Sequence, residues 1–322
     1  MTPPASRRLT EAGALPICSD DFPDALLGGL RSTPKNIPCK YFYDAEGSRL
    51  FEQICRLPEY YPTRTEFSLL QTHAEEITAF IGPHAEIMEF GAGAGEKIRP
   101  LLDVLHRPSA YIPVDISESY LKSVTARLSA DYPSLPIHPL MADFTGELSW
   151  PSASGLPRVG FFPGSTIGNF QPEEARDFLG NSAKLLKGGG LLIGVDLVKD
   201  PAILHAAYND RAGITAAFNR NLLARANREA GANFELSRFA HYAFYNPVEH
   251  RIEMYLISSM AQRVQICGRM ISFSEGQAIH TEYSYKYTVP AFRELAASAG
   301  FIPRAVWTDP ESLFSIHWLE SP

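Results

Sequence analysis

Residues Glu89-Phe-Gly-Ala-Gly-Ala-Gly-Glu-Lys97 set three alternate glycines, Gly91, Gly93 and Gly95, after an apolar run, Ile87-Met88-Glu89-Phe90. A helical spacing of Ile98, Leu101, Leu102 and Leu105 follows. Strand, glycine turn and helix in that order bring bare backbone N–H groups up to a ligand. Asp115 closes the next apolar segment, about two dozen residues past Gly91, where a carboxylate can accept the ribose hydroxyls of a nucleoside. Asp143-Phe144 closes a third segment and offers an acceptor for an exocyclic amine beside an aromatic ring.

These residues need a scaffold that holds them along one edge. Apolar segments at 87–90, 110–115, 138–143, 158–164 and 191–196 alternate with helical spacings at 97–106, 117–130 and 171–187. Such a βαβ series predicts a doubly wound parallel sheet. Leu191-Leu-Ile-Gly-Val-Asp196 is apolar almost throughout, as a central parallel strand requires. Upstream, 22–31 predicts a short helix. Leu50, Phe51, Ile54 and Leu57 mark a helical face that Pro58 ends, and 65–81 reads as one further helix. Downstream, 200–230 is helical and 238–287 alternates with period two, Ile252, Met254 and Leu256 facing one way and Glu253 and Tyr255 the other. A helix at 289–300 and strands at 304–308 and 315–320 add an antiparallel hairpin. The expected class is α/β, a Rossmann-like sheet with a C-terminal antiparallel hairpin, plus a second, smaller α+β unit.

Three features bear on the ligand of the glycine loop. Glu96 replaces the third glycine of a dinucleotide fingerprint, and Gly-x-Gly-x-Gly suits an amino-acid tail better than a pyrophosphate. Asp143-Phe144 suits an adenine. The terminal hairpin is usual for methyltransferases of this fold rather than dehydrogenases. Together they favour S-adenosylmethionine over a nicotinamide dinucleotide, with a nicotinamide-dependent oxidoreductase as the distant alternative.

A net charge of −7 without a long basic run argues against a nucleic-acid partner. No stretch approaches the ~18 apolar residues of a membrane span. Arg7-Arg8 is followed by Glu11 and Asp20-Asp21 instead of an apolar core, so no signal peptide is expected. Cys18, Cys39, Cys55 and Cys267 form no Cys-x-x-Cys pair and read as reduced thiols of a cytoplasmic protein. The histidines show no metal-ligand spacing, and no metal is expected. In Thr281-Glu-Tyr-Ser-Tyr-Lys286, strand alternation puts Glu282, Ser284 and Lys286 on one face, which taken alone reads as a solvated polar face.

The chain resembles the histidine-specific, S-adenosylmethionine-dependent methyltransferase family. The resemblance lies in Lys40–Glu66, with its Tyr-x-Tyr-Asp and Leu-Pro-Glu-Tyr-Tyr-Pro-Thr-Arg strings, in Glu89–Lys97, in Gly164-Ser-Thr-Ile-Gly-Asn169, in Asp196-Leu-Val-Lys-Asp200 and in Ala216-Ala-Phe-Asn-Arg-Asn221. It runs from about 22 to 320 and implies a class I methyltransferase sheet. It also implies a methyltransferase domain over 61–196 and 287–322 and a substrate-binding domain over 1–60 and 197–286. By the same resemblance Gly91, Lys97, Asp115, Asp143 and Phe144 hold the cofactor, Lys97 at its methionine carboxylate. Asn169 grips the substrate, Tyr208 reaches its carboxylate, and Tyr43 and Tyr60 line the amine side, with Tyr43 orienting the amine for catalysis. Glu282 and Ser284 serve the two nitrogens of an imidazole, with Met254 as an apolar wall. The implied reaction is Nα-trimethylation of L-histidine to hercynine, the first step of ergothioneine biosynthesis. Relatives that methylate tryptophan derivatives leave another aromatic amino acid as the close alternative, and a non-enzymatic binding module is a third. Ala94 departs from the hydroxyl residue common in the loop of relatives, and cofactor contacts are expected to differ there.

Overall fold

The computed structural model describes residues 22–146, 148–151 and 155–322. Residues 1–21 of the predicted substrate-binding unit, with Arg7-Arg8 and Cys18, lie outside them.

The chain opens with α1 (Phe22–Arg31), β1 (Lys35–Asn36) and α2 (Ala45–Cys55). Asp44 caps α2 by accepting the Gly47 N–H at 2.7 Å, and it also takes a bond from Asn221 Nδ2 at 2.8 Å. One residue thus starts a helix and ties it to a distant one. The span 65–81, expected as one helix, is two: α3 (Tyr61–Thr72) and α4 (Ala74–Ile81). The break is His73, at φ −109° and ψ 15°, whose ring packs near Trp307. Packing of the aromatic ring there overrides a helical spacing that continues past it.

Next come β2 (Glu86–Phe90), α5 (Arg99–Leu102), β3 (Ala110–Asp115), α6 (Glu118–Asp131), β4 (Leu140–Met141), β5 (Arg158–Phe162), α7 (Pro172–Leu185) and β6 (Gly190–Asp196). The helix expected over 97–106 is the single turn α5 followed by hydrogen-bonded turns. Ile98, Leu101 and Leu102 are buried, so the apolar spacing is real, but one turn satisfies it. β4 is shorter than the expected 138–143. It pairs only with β3, at an edge, and Pro139 before it has no N–H to give a ladder. α7 begins with a capping box in which Gln171 N–H donates to Glu174 Oε2 at 2.8 Å.

The helical span 200–230 divides into α8 (Pro201–Tyr208) and α9 (Ile214–Glu229). Gly213 turns the chain at φ 70°, while Asp210 accepts the Ile214 and Thr215 N–H groups at the new start. Then follow β7 (Phe239–Asn246), β8 (Arg251–Ser258), β9 (Gln262–Ile266), β10 (Arg269–Phe273), β11 (Ala278–Tyr285), α10 (Val289–Ser298), β12 (Ile302–Thr308) and β13 (Phe314–Glu320).

The large sheet has seven strands in the order β12-β13-β6-β5-β2-β3-β4. Strands β2 to β6 are parallel, and β13 lies antiparallel between β6 and β12. This is the expected class I methyltransferase sheet with its hairpin. A second sheet, β1-β11-β8-β7, joins the N-terminal segment to the insertion, since β1 runs parallel to β11. One apolar core unites Phe22, Phe42 and Tyr61 with Leu204, Phe218, Met254 and Ile279. Two other cores contain the strands of the large sheet. Ile252, Met254 and Leu256 are buried on one face of β8, as the alternation predicts. Among the described residues no helix is long and apolar enough to cross a membrane.

Candidate active site

The carboxyl ends of β2, β3, β5 and β6 face the second sheet across a cavity of about 570 Å³. Every residue singled out from the sequence as a site residue lines it: Gly91, Lys97, Asp115, Asp143 and Phe144 from the large sheet and its loops, with Asn169, and Tyr43, Tyr60, Tyr208, Met254, Glu282 and Ser284 from the other side.

On the loop side, Gly91, Gly93 and Gly95 all have positive φ, at 76°, 47° and 69°. This backbone is open to glycine and strained for other residues. A Cβ on Gly91 would come 3.4 Å from the Phe144 ring, so loop and ring are in direct contact. A Cβ on Gly95 would meet Val124 Cγ1 at 2.6 Å. Gly95→Ala is therefore expected to cost about 2–4 kcal/mol through strain and overpacking together. Thermal denaturation should show a melting temperature lower by several degrees, and an unchanged value would contradict this account.

Asp115 uses one oxygen to accept Gly93 N–H at 3.2 Å and the other to accept Ser117 N–H at 3.0 Å. Burial raises its pKa, the backbone bonds opposing. Asp143 does not cap a helix. It forms a turn in which Oδ1 accepts Thr145 N–H at 3.0 Å, and its other oxygen lies 3.4 Å from Lys40 Nζ. Burial alone would raise its pKa, but Thr145 and Lys40 hold it below the ordinary carboxylate range.

Lys97 is not a lone cation. Its Nζ lies 2.6 Å from Glu66 Oε2, and Glu66 also accepts Gly164 N–H at 2.9 Å. Burial works against the charged form of Lys97, and Glu66 more than offsets it. Glu66 thereby ties α3 to the loops after β2 and β5. Glu89, just before the glycines, accepts a hydrogen bond from Tyr111 Oη, and burial pushes its carboxyl up to about 8. Ala94 lines the cavity, and its carbonyl accepts from Arg127 Nη2 at 2.8 Å.

Across the cavity stands an aromatic wall. Tyr43 meets Phe51 and Phe218 edge-on at 5.6 and 6.0 Å, and Tyr60 meets Phe51 and Tyr208 at 6.2 and 6.4 Å. Burial raises the phenol pKa values of Tyr43 and Tyr60 well above normal, so both stay protonated. Asn169 ends a short 3₁₀ turn, Thr166–Asn169, and is not a helix cap; Gln171 fills that role. Cys39 and Cys55 also line the cavity as thiols, burial pushing Cys39 up to about 12.

Glu282 and Ser284 sit at the floor, 8% and 4% exposed. Burial pushes the Glu282 carboxyl up to about 7, with Lys286 pulling the other way. Tyr208 Oη donates to Ser284 Oγ at 2.8 Å. Lys286 Nζ lies 2.7 Å from Ser284 Oγ, 3.2 Å from Tyr208 Oη and 2.8 Å from Asp196 Oδ2. Reaching a substrate carboxylate would thus require the Tyr208 hydroxyl to leave Ser284. Asp196 also faces Lys199 Nζ at 2.5 Å and accepts from Tyr61 Oη at 2.7 Å.

The sequence reading missed Glu66 and gave no role to Asp196, Lys199 or Lys286. It also missed two bridges over the cavity rim, Lys40 to Asp143 and Tyr120 Oη to Glu52 Oε1 at 2.7 Å. Glu66 to Gly164, Lys286 to Asp196 and both rim bridges join residues far apart in the chain, so no local spacing signals them.

A family model described as histidine-specific, S-adenosylmethionine-dependent methyltransferase matches residues 22–321. A histidine N-alpha-methyltransferase of Mycolicibacterium smegmatis is 43% identical over 298 residues, 89% of this chain and 91% of that protein. A histidine N-alpha-methyltransferase of Mycobacterium tuberculosis is 39% identical over 312 residues, 95% of each. A solved structure described as a possible exported protein from Bordetella parapertussis aligns with a TM-score of 0.51, covering 93% of this chain and 79% of that one. At 12% identity that likeness is one of fold alone.

Proposed function

The chain belongs to the histidine-specific, S-adenosylmethionine-dependent methyltransferase family, and from that premise we propose that it methylates the α-amine of L-histidine to the trimethyl betaine, hercynine. The observation that carries the substrate is Glu282 beside Ser284, buried at the floor of the cavity opposite the glycine loop. An imidazole has one ring N–H and one bare nitrogen. A carboxylate accepts from the first and a hydroxyl donates to the second.

The cavity suits the cofactor as well. A glycine loop held at positive φ, with two carboxylates and an aromatic ring beside it, suits a nucleoside with an amino-acid tail. Asp115 would hold the ribose, Asp143 and Phe144 the adenine, and Gly91 and Lys97 the amino-acid end. S-adenosylmethionine, when bound, supplies a methyl group already activated on sulfur. What remains for the protein is to bring amine and donor into line. An α-amino group titrates near ~8 in peptides, and a sulfonium beside it would lower that value. Tyr43 and Tyr60, fixed as neutral phenols, orient the amine without acting as bases. The rings of Tyr43, Phe51, Tyr60 and Phe218 give the growing ammonium aromatic faces to rest on. Asn169 takes the substrate carboxylate, since Tyr208 is engaged with Ser284.

This assigns cofactor binding to 61–196 and 287–322 and substrate binding to 1–60 and 197–286, with the apolar core that joins residues 22–54 to 204–279, and takes in Tyr61 at the boundary, as support. A cytoplasmic place of action accords with the free thiols of Cys39, Cys55 and Cys267. Mass spectrometry of products from L-histidine and S-adenosylmethionine tests the reading. Accumulation of the product carrying three added methyl groups is expected. Turnover of L-tryptophan with none of L-histidine would overturn it.

A further inference from the structure

We propose that Lys286 is a positioning residue that makes Ser284 a hydrogen-bond donor to the substrate ring, so that the site selects the neutral imidazole over the imidazolium. The inference rests on L-histidine being the substrate, as read above.

Lys286 is 3% exposed, and its ammonium has three hydrogens. Three oxygens lie around it: Asp196 Oδ2 at 2.8 Å, Ser284 Oγ at 2.7 Å and Tyr208 Oη at 3.2 Å. Its donors are therefore spent. Asp196 fixes it from the end of β6, while its own backbone N–H donates to His250 O at 2.7 Å. The ammonium is held at the seam where β6 meets the end of β11, marked by the bridge between Leu197 and Tyr287.

The consequence falls on the hydroxyls. A serine oxygen has two lone pairs and one hydrogen. Lys286 occupies one lone pair of Ser284. The phenol of Tyr208, the stronger acid of the two hydroxyls, donates to the other at 2.8 Å. Ser284 is left with its hydrogen alone, and that hydrogen has only the cavity to face. A ring nitrogen bearing a lone pair can take it; a ring N–H cannot. Glu282, lining the same cavity, accepts from the other nitrogen. One donor and one acceptor match a neutral imidazole, and the nearby Lys286 charge disfavours a cationic ring. Without Lys286, Ser284 regains a lone pair, its hydrogen is no longer committed to the ring, and the discrimination between the two forms is lost.

Steady-state kinetics of Lys286→Met, Ser284→Ala and the double variant test this, with L-histidine varied at saturating S-adenosylmethionine. Lys286→Met should raise KM for L-histidine roughly tenfold, the worth of one well-placed hydrogen bond, with KM for S-adenosylmethionine within about twofold. In the Ser284→Ala background the same change should raise KM by less than about twofold, because the two residues act as one unit. Multiplying losses would mean that Lys286 acts only through the fold, and would overturn the proposal. Should Lys286→Met fail to fold, the unaltered enzyme decides. Its KM for 1,2,4-triazol-3-yl-alanine, whose ring keeps a donor and an acceptor but takes up no proton near neutrality, should lie within about tenfold of that for L-histidine. Rejection of that analogue by a hundredfold or so would overturn the proposal. Absence of any L-histidine turnover by the unaltered enzyme would instead count against the substrate reading.

Discussion

Replacing Glu282 with alanine should lower kcat/KM for L-histidine by roughly 10²–10³, since a site built to hydrogen-bond a polar ring loses its acceptor while the ring is still desolvated. KM for S-adenosylmethionine should stay within about twofold, because Glu282 belongs to the face opposite the glycine loop. The selectivity for L-histidine over L-tryptophan should fall in the same variant. A variant that keeps its rate and its preference would remove Glu282 from ring recognition. The pH profile gives a second readout with a definite sign. Burial pushes this carboxyl up to about 7, and Lys286 opposes that only in part. Below that value Glu282 is a neutral acid and only a weak acceptor for a ring N–H; above it the carboxylate makes the stronger, charge-assisted bond. The value of kcat/KM should therefore rise between about pH 6 and pH 8, and in Glu282→Gln the part of the rise owed to Glu282 should disappear.

Burial decided how much of this molecule could be read from its sequence. The strand Ala110–Asp115 has the bounds its composition predicts, because a parallel strand covered on both faces is apolar along its whole length. At the edge of the same sheet the strand proper is only Leu140–Met141, with an isolated bridge at Ile137 before Pro139 interrupts the ladder, and the expected length shrinks. Helical spacing over 97–106 reported buried positions faithfully but not how the chain reaches them, since one turn with the following loop buries Ile98, Leu101 and Leu102. The site divides along a similar line. Gly91, Asp115 and Asp143 were legible because each closes a strand of one repeated pattern. Glu282 and Ser284 were legible as a polar face of a strand, with the resemblance needed to say what that face is for. The residues that hold them were not. Asp196 meets Tyr61 across 135 positions of sequence, and Glu66 meets Gly164 across 98, distances over which no spacing carries information. Tyr208 shows the same limit at one atom: its place in the cavity was expected, and the partner of its hydroxyl was not.

Asp196→Ala should be the most destabilising of the substitutions considered, by about 3–5 kcal/mol, because it leaves buried cations without their counter-ion. Asp196 is 1% exposed and neutralises Lys286 on one oxygen and Lys199 on the other. It also accepts from Tyr61 Oη, so its loss opens the contacts of α3 with the end of β6. In a chain of this size the melting temperature should drop by on the order of 10 °C. The pH dependence separates this cause from lost packing. Burial already lowers Lys199 to about 8 despite the attraction of Asp196. Without that attraction both lysines titrate below their unfolded values, so the unfolded chain binds more protons than the folded one at neutral pH. Stability of the variant then increases as pH rises, since folding no longer requires a buried charge once the lysines are neutral. The deficit relative to the unaltered protein should therefore shrink between about pH 7 and pH 9.5. Denaturant titrations at the two pH values measure it, and a deficit independent of pH would assign the loss to packing around Asp196 in place of its charge.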